Sequence, residues 1–282
     1  MTVAAVIRPR PPQMWPRDAA VEAGVSLTES IRGIARRIAH PVQVPQMPRA
    51  STDYQVLDDF ACFENASTGW EDETVARRQD EAYAALLERM YDGQPRCDLV
   101  AAARAVEYTG VQRPSILEVG CGSGYYAQVF EHLVEEQIQY TGLDYSRAMI
   151  DLARRRRPGR TFVHGDATQL PLSDGAFDLV FNGVALMHIP RYDQAIRESV
   201  RVSRRWCIMH SVPVLQRRAT AYLQKSAYGR TTCEIIFNER QLHRLLNDAG
   251  LAVRTAIESI EYDLAAVLGE STLTKTFVCE KN

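Results

Sequence analysis

Short apolar runs alternate along the chain with longer stretches whose apolar positions recur at helical spacing. Ile116, Leu117 and Val119 form a run of the kind expected from a buried parallel strand. Tyr125–Glu135 follows with helical spacing, then Ile138–Leu143 as a second strand. A helix capped by Ser146 runs through Arg154–Arg157 and is stopped by Pro158-Gly159. Thr161–Gly165, Phe177–Phe181 and Trp206–His210 read as further strands, with Asp193–Ser203 as a helix between the last two. Upstream, Asp72–Met90 is predicted helical, with Val75, Ala82, Leu86 and Met90 inward, and so is Asp98–Tyr108, closed by Gly110. Downstream, Leu215, Ala219, Tyr222 and Leu223 fall on one side of a helix over Val214–Ala227. Residues 212–237 exceed a simple connection and are expected to form an inserted cap over the substrate end of a pocket. Asn238 caps a further helix, with Gln241 at its third position, Leu242, Leu245, Leu246 and Ala249 as its buried stripe and Gly250 beyond its end. Leu251–Glu261 and Thr272–Cys279 are strand-like.

The first 50 residues differ in character. They are rich in Pro and Arg, with one possible helix over Val21–Ala39 carrying Ile31, Ile34 and Ile38 on one face, and a linker through Pro41, Pro45 and Pro48. An arm packed on the rest of the chain or on a partner subunit and a disordered tail are both open readings. Residues 51–282 are then the main domain. Between the two, Tyr54–Trp70 is aromatic without a clear period.

Composition narrows the class. The 282 residues are 46% hydrophobic and 24% charged, as in an ordinary soluble protein, and 33 basic against 35 acidic residues demand no polyanionic partner. Six cysteines contain no C-x-x-C pair, so neither a metal site nor a disulfide framework is expected. No apolar run approaches the roughly 18 residues of a membrane span. Val3–Ile7 is too short for a signal-peptide core, which makes the cytoplasm the expected location.

Candidate chemistry gathers where strands end. Gly120, Gly122 and Gly124 follow the first strand and precede a helix, so the backbone turns there with no Cβ between it and a ligand. A dinucleotide loop needs its third glycine where this chain has Tyr125. Glu118 lies beside the loop, where it attracts an ammonium group and repels a phosphate. Asp144 stands twenty residues past Gly124, a spacing that puts a carboxylate at the tip of the neighbouring strand, within reach of ribose hydroxyls. NAD satisfies the Asp144 geometry alone; Tyr125 and Glu118 favour S-adenosylmethionine (SAM).

Four motifs in order carry a family resemblance: Leu117–Gly124, Gly142–Ser146, Gly165-Asp166-Ala167 with Leu170-Pro171-Leu172, and Phe177–Val180 running to His188-Ile189. With these the chain resembles class I SAM-dependent methyltransferases of the broad small-molecule type. The resemblance implies a Rossmann-like α/β fold: a doubly wound, mostly parallel seven-stranded sheet with an antiparallel edge strand, which the two C-terminal strands would supply. It implies a SAM site built from Glu118, Gly120, Cys121, Gly122, Gly124, Asp144, Tyr145, Met149, Asp166, Ala167 and Asn182. Within it Asp166 takes the adenine amino group, the Ala167 N–H a ring nitrogen, Tyr145 and Met149 flank the adenine, and Asn182 lies by the methionine part. Residues 51–93 correspond to a lid, which makes Trp70, Arg77, Arg78 and Gln79 candidates for contacts to the sulfonium or carboxylate. Asp178 opens its strand, far from the carboxyl end, and reads as structural.

Methyl transfer needs alignment and desolvation above all, and a base where the acceptor is a hydroxyl of high pKa. His188 after the fourth strand and His210 at the end of the fifth are the candidate bases, ahead of Tyr222 and Tyr228. The expected reaction is methylation of an oxygen or nitrogen of a small molecule, such as a sugar or secondary metabolite, by a monomer or homodimer. An RNA methyltransferase and a non-catalytic SAM-binding protein are the alternatives. Asn182-Gly183-Val184-Ala185 lacks the Pro-Pro-aromatic run that stacks on a flipped base, and Arg154–Arg157 reads as cations at a helix C-terminus, so no nucleic-acid partner is expected.

Overall fold

The computed structural model describes residues 54–57, 60–61, 63, 69–261 and 263–282, all within the unit Gln46–Asn282. The expected arm over residues 1–50, with its helix Val21–Ala39, lies outside the described residues, as does much of the aromatic stretch before Trp70.

Asp72, Ser146 and Asn238 each start a helix with a capping side chain. A short strand β1 (Gln55–Val56) and a 3-10 turn (Gly69–Glu71) precede α1 (Glu73–Tyr91), whose Asp72 accepts from the Thr74 N–H at 2.7 Å. After α2 (Cys97–Tyr108) comes β2 (Ser115–Val119), buried at four consecutive positions as a strand covered on both faces must be. Then follow α3 (Tyr126–Leu133), β3 (Gln139–Asp144), α4 (Arg147–Arg156), β4 (Thr161–His164) and β5 (Phe177–Gly183). Ser146 caps α4, accepting from the Met149 N–H at 3.3 Å, and three arginines occupy its last turn, where the helix dipole favours cations. A second 3-10 turn (Leu186–His188) leads to α5 (Tyr192–Val202), directly followed by the long strand β6 (Ser203–Leu215).

These strands form a parallel sheet in the order β4-β3-β2-β5-β6. The chain moves outward from β2 in one direction through β3 and β4, then returns to β5 on the other side. The β2/β5 boundary is therefore the switch point, outside whose carboxyl ends a ligand sits. At the opposite ends, Asp178 accepts from the Ser115 N–H at 2.9 Å and from Arg204 at 2.7 Å, the structural role expected of it.

Beyond β6 the path was only partly foreseen. The helix expected over Val214–Ala227 is absent. In its place stand the end of β6, then β7 (Ala221–Ala227) and β8 (Arg230–Asn238), an antiparallel hairpin. Its two-residue loop, Tyr228-Gly229, has φ of 54° and 81°, the left-handed pair that suits the twist of a hairpin. The β-branched run Thr231-Thr232 and Ile235-Ile236 sustains the strand, and the helical spacing of Leu215, Ala219 and Tyr222 is coincidental. Pairing of β6 with β5 ends at His210; β6 turns at Ser211, where φ is 54°, and takes up β8 in parallel at Val214. The hairpin thus continues the sheet beyond the carboxyl end of β5.

The chain closes with α6 (Glu239–Asp248), β9 (Leu251–Glu261), a short α7 (Ala265–Leu268) and β10 (Leu273–Lys281). The Asn238 side chain accepts from the Gln241 N–H at 3.0 Å, as expected. β10 pairs antiparallel with both β6 and β9, completing the seven-stranded path β4-β3-β2-β5-β6-β10-β9, to which β8, β7 and β1 are added. The sheet is packed on both faces: Leu117, Val180, Met209, Ile196, Leu242 and Phe277 share the main core cluster on one, and Ile116, Phe181 and Ile208, at alternate strand positions, are fully buried on the other.

Candidate functional site at the strand tips

The glycine loop is held by the tip of β3. The N–H groups of Gly120 and Cys121 both donate to the Leu143 carbonyl, at 2.8 and 3.0 Å, and the Gly122 N–H donates to Asp144 Oδ2 at 2.8 Å. Asp144 Oδ1 accepts from the Ser146 N–H at 2.8 Å. Gly120 has φ of 71°, and a Cβ there would collide with that of Ala185 just past β5. Gly122 has φ of 51°, and a Cβ there would lie 2.9 Å from Gln79 Oε1. The loop is glycine-rich because the backbone is left-handed and closely overhung on both sides.

Glu118 is fully buried in β2. Its Oε2 accepts from the Tyr140 hydroxyl, while Oε1 has no partner and lies against Gly183, where any Cβ would overlap it. Burial holds the carboxyl well above the ordinary carboxylate range, despite the Tyr140 bond, and the Asp144 charge adds to the rise. Asn182, paired with Val119 across the β2/β5 boundary, donates to Ser199 Oγ at 3.3 Å and leaves its own oxygen unmatched and enclosed. The register puts these two oxygens on opposite faces of the sheet, and the unmatched buried Glu118 oxygen at the switch point suits a cationic amino group. Asp144, which burial also raises, keeps lone pairs beyond the two its backbone donors use, as ribose hydroxyls require. These residues fit S-adenosylmethionine.

The other candidates surround this centre. Cys121 is buried and its thiol pushed well up by burial, so it packs rather than reacts. Gly124 faces the Phe162 ring at 2.6 Å from a would-be Cβ. Tyr145 is 40% exposed at the tip of β3, whereas Met149 is buried in a cluster with Val75, Ala76 and Trp70. Asp166 is exposed, and its Oδ1 accepts from the N–H and hydroxyl of Thr168 at 2.7 and 2.8 Å, which leaves Oδ2 for an adenine amino group; Ala167 follows in the same turn. Of the polar lid candidates, Gln79 overhangs the glycine loop and Arg78 donates to the Tyr228 carbonyl at 2.8 Å, while Arg77 is exposed.

The two histidines part company. His210 is buried with both ring nitrogens engaged, Nε2 with the Tyr126 hydroxyl at 2.6 Å and Nδ1 with Thr276 Oγ1 at 2.8 Å, and its ring is stacked on Phe181. Burial lowers it to about 4. It therefore belongs to the packing between sheet and helices; the expectation that it faces an acceptor is corrected, because no lone pair remains to take a proton. His188 is half-buried, its ring tilted by 57° against that of Trp70 at 4.9 Å, and its Nδ1–H donates to the Cys233 carbonyl of β8 at 2.7 Å. That bond fixes the tautomer and leaves Nε2 as the basic nitrogen. Burial lowers the imidazole below its ordinary value, with Glu234 pulling it up and Lys225 pushing it down.

Residues 117–207 match the family described as Methyltransferase domain. This segment is a class I SAM-dependent methyltransferase domain. A phthiotriol/phenolphthiotriol dimycocerosates methyltransferase 1 of Mycobacterium ulcerans is 40% identical over 104 residues, 36% of this chain and 37% of that protein. A demethylmenaquinone methyltransferase of Shouchella clausii is 36% identical over 95 residues, 32% of this chain and 40% of that protein. The match thus spans well under half the length of these relatives. A SAM-dependent methyltransferase of known structure from Aquifex aeolicus is similar in fold, with a TM-score of 0.51 and 14% identity over 75% of this chain and 99% of that one.

Three parts of the methyltransferase domain's surroundings were not read from the sequence. Arg157, taken as one more cation at a helix end, reaches back to donate to the Ser123 carbonyl at 2.6 Å and to Gln128 at 2.7 Å, bolting the glycine loop to α3. Tyr140 buttresses Glu118 from β3. The buried Lys225–Glu234 ion pair sits on the hairpin beside His188. Only the helix-end position of Arg157 carried a signal, since α4 and α3 both start from the same strand tips.

Among the described residues there is no His, Cys, Asp and Glu group able to hold a metal, and no helix long and apolar enough to cross a membrane.

Proposed function

We propose that this chain is a SAM-dependent methyltransferase that methylates a hydroxyl of a small organic acceptor, with His188 as the general base. The observation that carries the reading is the pairing of an unmatched buried Glu118 oxygen at the switch point with a histidine whose tautomer is locked to leave Nε2 basic. Glu118 would hold the amino group of SAM, with Asn182 beside the methionine part, Asp144 would hold the ribose, and Tyr145, Met149, Asp166 and Ala167 the adenine. When bound, SAM supplies a methyl group on a sulfonium, so the carbon–sulfur bond breaks with its electron pair kept by sulfur. The protein aligns the acceptor oxygen, excludes water beneath Trp70 and α1, and takes the hydroxyl proton on His188 Nε2. Alignment and desolvation of this kind contribute about 7–11 kcal/mol.

The relatives named for phthiotriol dimycocerosates and for demethylmenaquinone support an organic acceptor rather than a nucleic acid. The aromatic surround of His188, with Trp70 against it at 4.9 Å and Tyr228 beyond at 6.0 Å from Trp70, supports an acceptor with an apolar body.

The test is a screen of hydroxylated small molecules with SAM, reading S-adenosylhomocysteine formation and the mass gain of the acceptor. His188→Gln is expected to lower kcat by about 10²–10⁴-fold with SAM affinity unchanged. A variant as fast as wild type would remove the base, and a product methylated on carbon or nitrogen would redirect the class.

A further inference from the structure

The β7–β8 hairpin changes character along one of its faces. Side chains of a strand alternate between faces, and Leu223 pairs with Glu234 and Lys225 with Thr232 across the hairpin, so these four share a face with Ile236. Toward the β6 end that face is apolar: Leu223 and Ile236 pack with Leu215, Leu264 and Leu268. Toward the turn it carries Lys225, Thr232 and Glu234 instead, with Glu234 only 3% exposed and Thr232 fully buried. The opposite face, with Cys233, Ile235 and Phe237, belongs to the main core.

Stability gives no reason for this switch. A buried ion pair rarely outperforms well-packed apolar residues of similar size, and the Thr232 hydroxyl is enclosed without a partner. The polar end has a distinctive neighbour. The residue before Glu234 is Cys233, whose carbonyl accepts the His188 Nδ1–H, and the 3-10 turn carrying His188 packs directly on β8.

We propose that Glu234, held by Lys225, is a positioning residue for His188: the pair fixes the strand segment whose carbonyl orients the imidazole and sets the charge that its ring experiences. This rests on His188 being the base. Lys225 holds Glu234 in place as its ion-pair partner, with Tyr54 closing over the ammonium at 5.4 Å from its ring. Glu234 then stabilises the imidazolium formed after proton uptake, in the way a carboxylate supports a catalytic histidine from outside direct contact. Among the described residues, the other groups packed against the ring are neutral near pH 7: burial pushes the Cys233 thiol up to about 11 and the Tyr228 hydroxyl up to about 12, and Trp70 does not titrate.

The experiment is an NMR titration of the full chain with labelled histidine, His188 being assigned from His188→Gln. In wild type the nitrogen shifts should report the Nδ1–H tautomer. Glu234→Gln should lower the His188 midpoint by roughly half a unit, the effect of losing a neighbouring unit charge from a partly buried site, and Glu234→Asp should restore it. Because an unpaired Lys225 could unfold the chain, K225M/E234M is run in parallel. With both charges gone and apolar packing in their place, its midpoint should also fall, by less. An unchanged midpoint in the folded variants, or an Nε2–H tautomer in wild type, overturns the proposal. The titration needs neither SAM nor acceptor, so a failure to turn over SAM would defeat the functional reading while leaving this result standing, and the reverse holds too.

Discussion

At the scale of single residues, the site depends on carboxyl groups kept from water. Glu118 and Asp144 are both raised by burial in the ligand-free protein. Each therefore stabilises the ligand-free fold most below the ordinary carboxylate range, and that contribution is lost as pH rises through the raised values. A ligand ammonium reverses this for Glu118 by drawing it into the ionised form. Binding of SAM at pH 6, where the ligand's amino group (ordinary value about 7.7–8.0) is already charged, should then release protons. Calorimetry in buffers of different ionisation enthalpy measures the release, which should vanish in Glu118→Gln; equal release in both proteins would place the ammonium elsewhere. Asp144→Ala should weaken SAM by at least about tenfold, since charge-assisted hydrogen bonds contribute about 1.5–3 kcal/mol. The variant also frees the Gly122 N–H, so the glycine loop should lose hydrogen-exchange protection. Unchanged affinity by calorimetry would refute the ribose assignment.

At the scale of elements, legibility followed the range of the forces involved. Strands β2 to β5 and the caps at Ser146 and Asn238 were readable because burial on both faces and local capping bonds leave their mark within a few residues. The Asp144 position was readable from spacing, since the length of a βαβ unit fixes where the next strand ends. The hairpin was not, because Leu215, Ala219 and Tyr222 mimic a helical stripe and the pairing that overrides them comes from β6, from β1 and from each other. Likewise nothing local distinguishes His188 from His210: one meets a carbonyl of β8, the other a tyrosine of α3 and a threonine of β10. The overlooked signal was Tyr228-Gly229 between alternating segments. Gly229 has φ of 81°, and a Cβ there would run into the Arg78 guanidinium. Gly229→Ala should therefore destabilise the chain by about 1 kcal/mol or more, visible as a lower denaturant midpoint, and should release Arg78 from the Tyr228 carbonyl. A variant of wild-type stability would mean that the turn is not left-handed.

At the scale of the whole molecule, the part over the site is joined to the rest both by a small apolar cluster, in which Val75 and Ala76 of α1 meet Met149 of α4, and by charges at its margins. Asp72 at the start of α1 pairs with Arg230 of the hairpin at 2.6 Å, and Asp80 within α1 pairs with Arg156 of α4 at 2.8 Å. Both arginines are mostly exposed, so each pair is weakened by salt; the Asp72 pair contributes about 0–1 kcal/mol, and the Asp80 pair somewhat more because its carboxylate is buried. Trp70, between these two attachments, touches both His188 and Tyr228 and shares the Met149 cluster, so any ligand at the strand tips lies beneath it. A segment whose marginal fastenings are ion pairs can loosen at those points while the sheet stays folded. If it is the lid, loosening the fastenings should change kinetics more than stability. In the double variant Arg156→Met/Arg230→Met, stopped-flow tryptophan fluorescence should show SAM entering and leaving several-fold faster than in wild type, while Tm falls by no more than about 4 °C, as expected for losing about 1 kcal/mol in a chain of this size. Raising salt from 0.05 to 0.5 M should speed the wild type toward the variant and leave the variant nearly unmoved, because only the wild type has pairs left to screen. Identical rates in the two proteins at both salt concentrations would mean that α1 is a fixed wall and that SAM enters from another side.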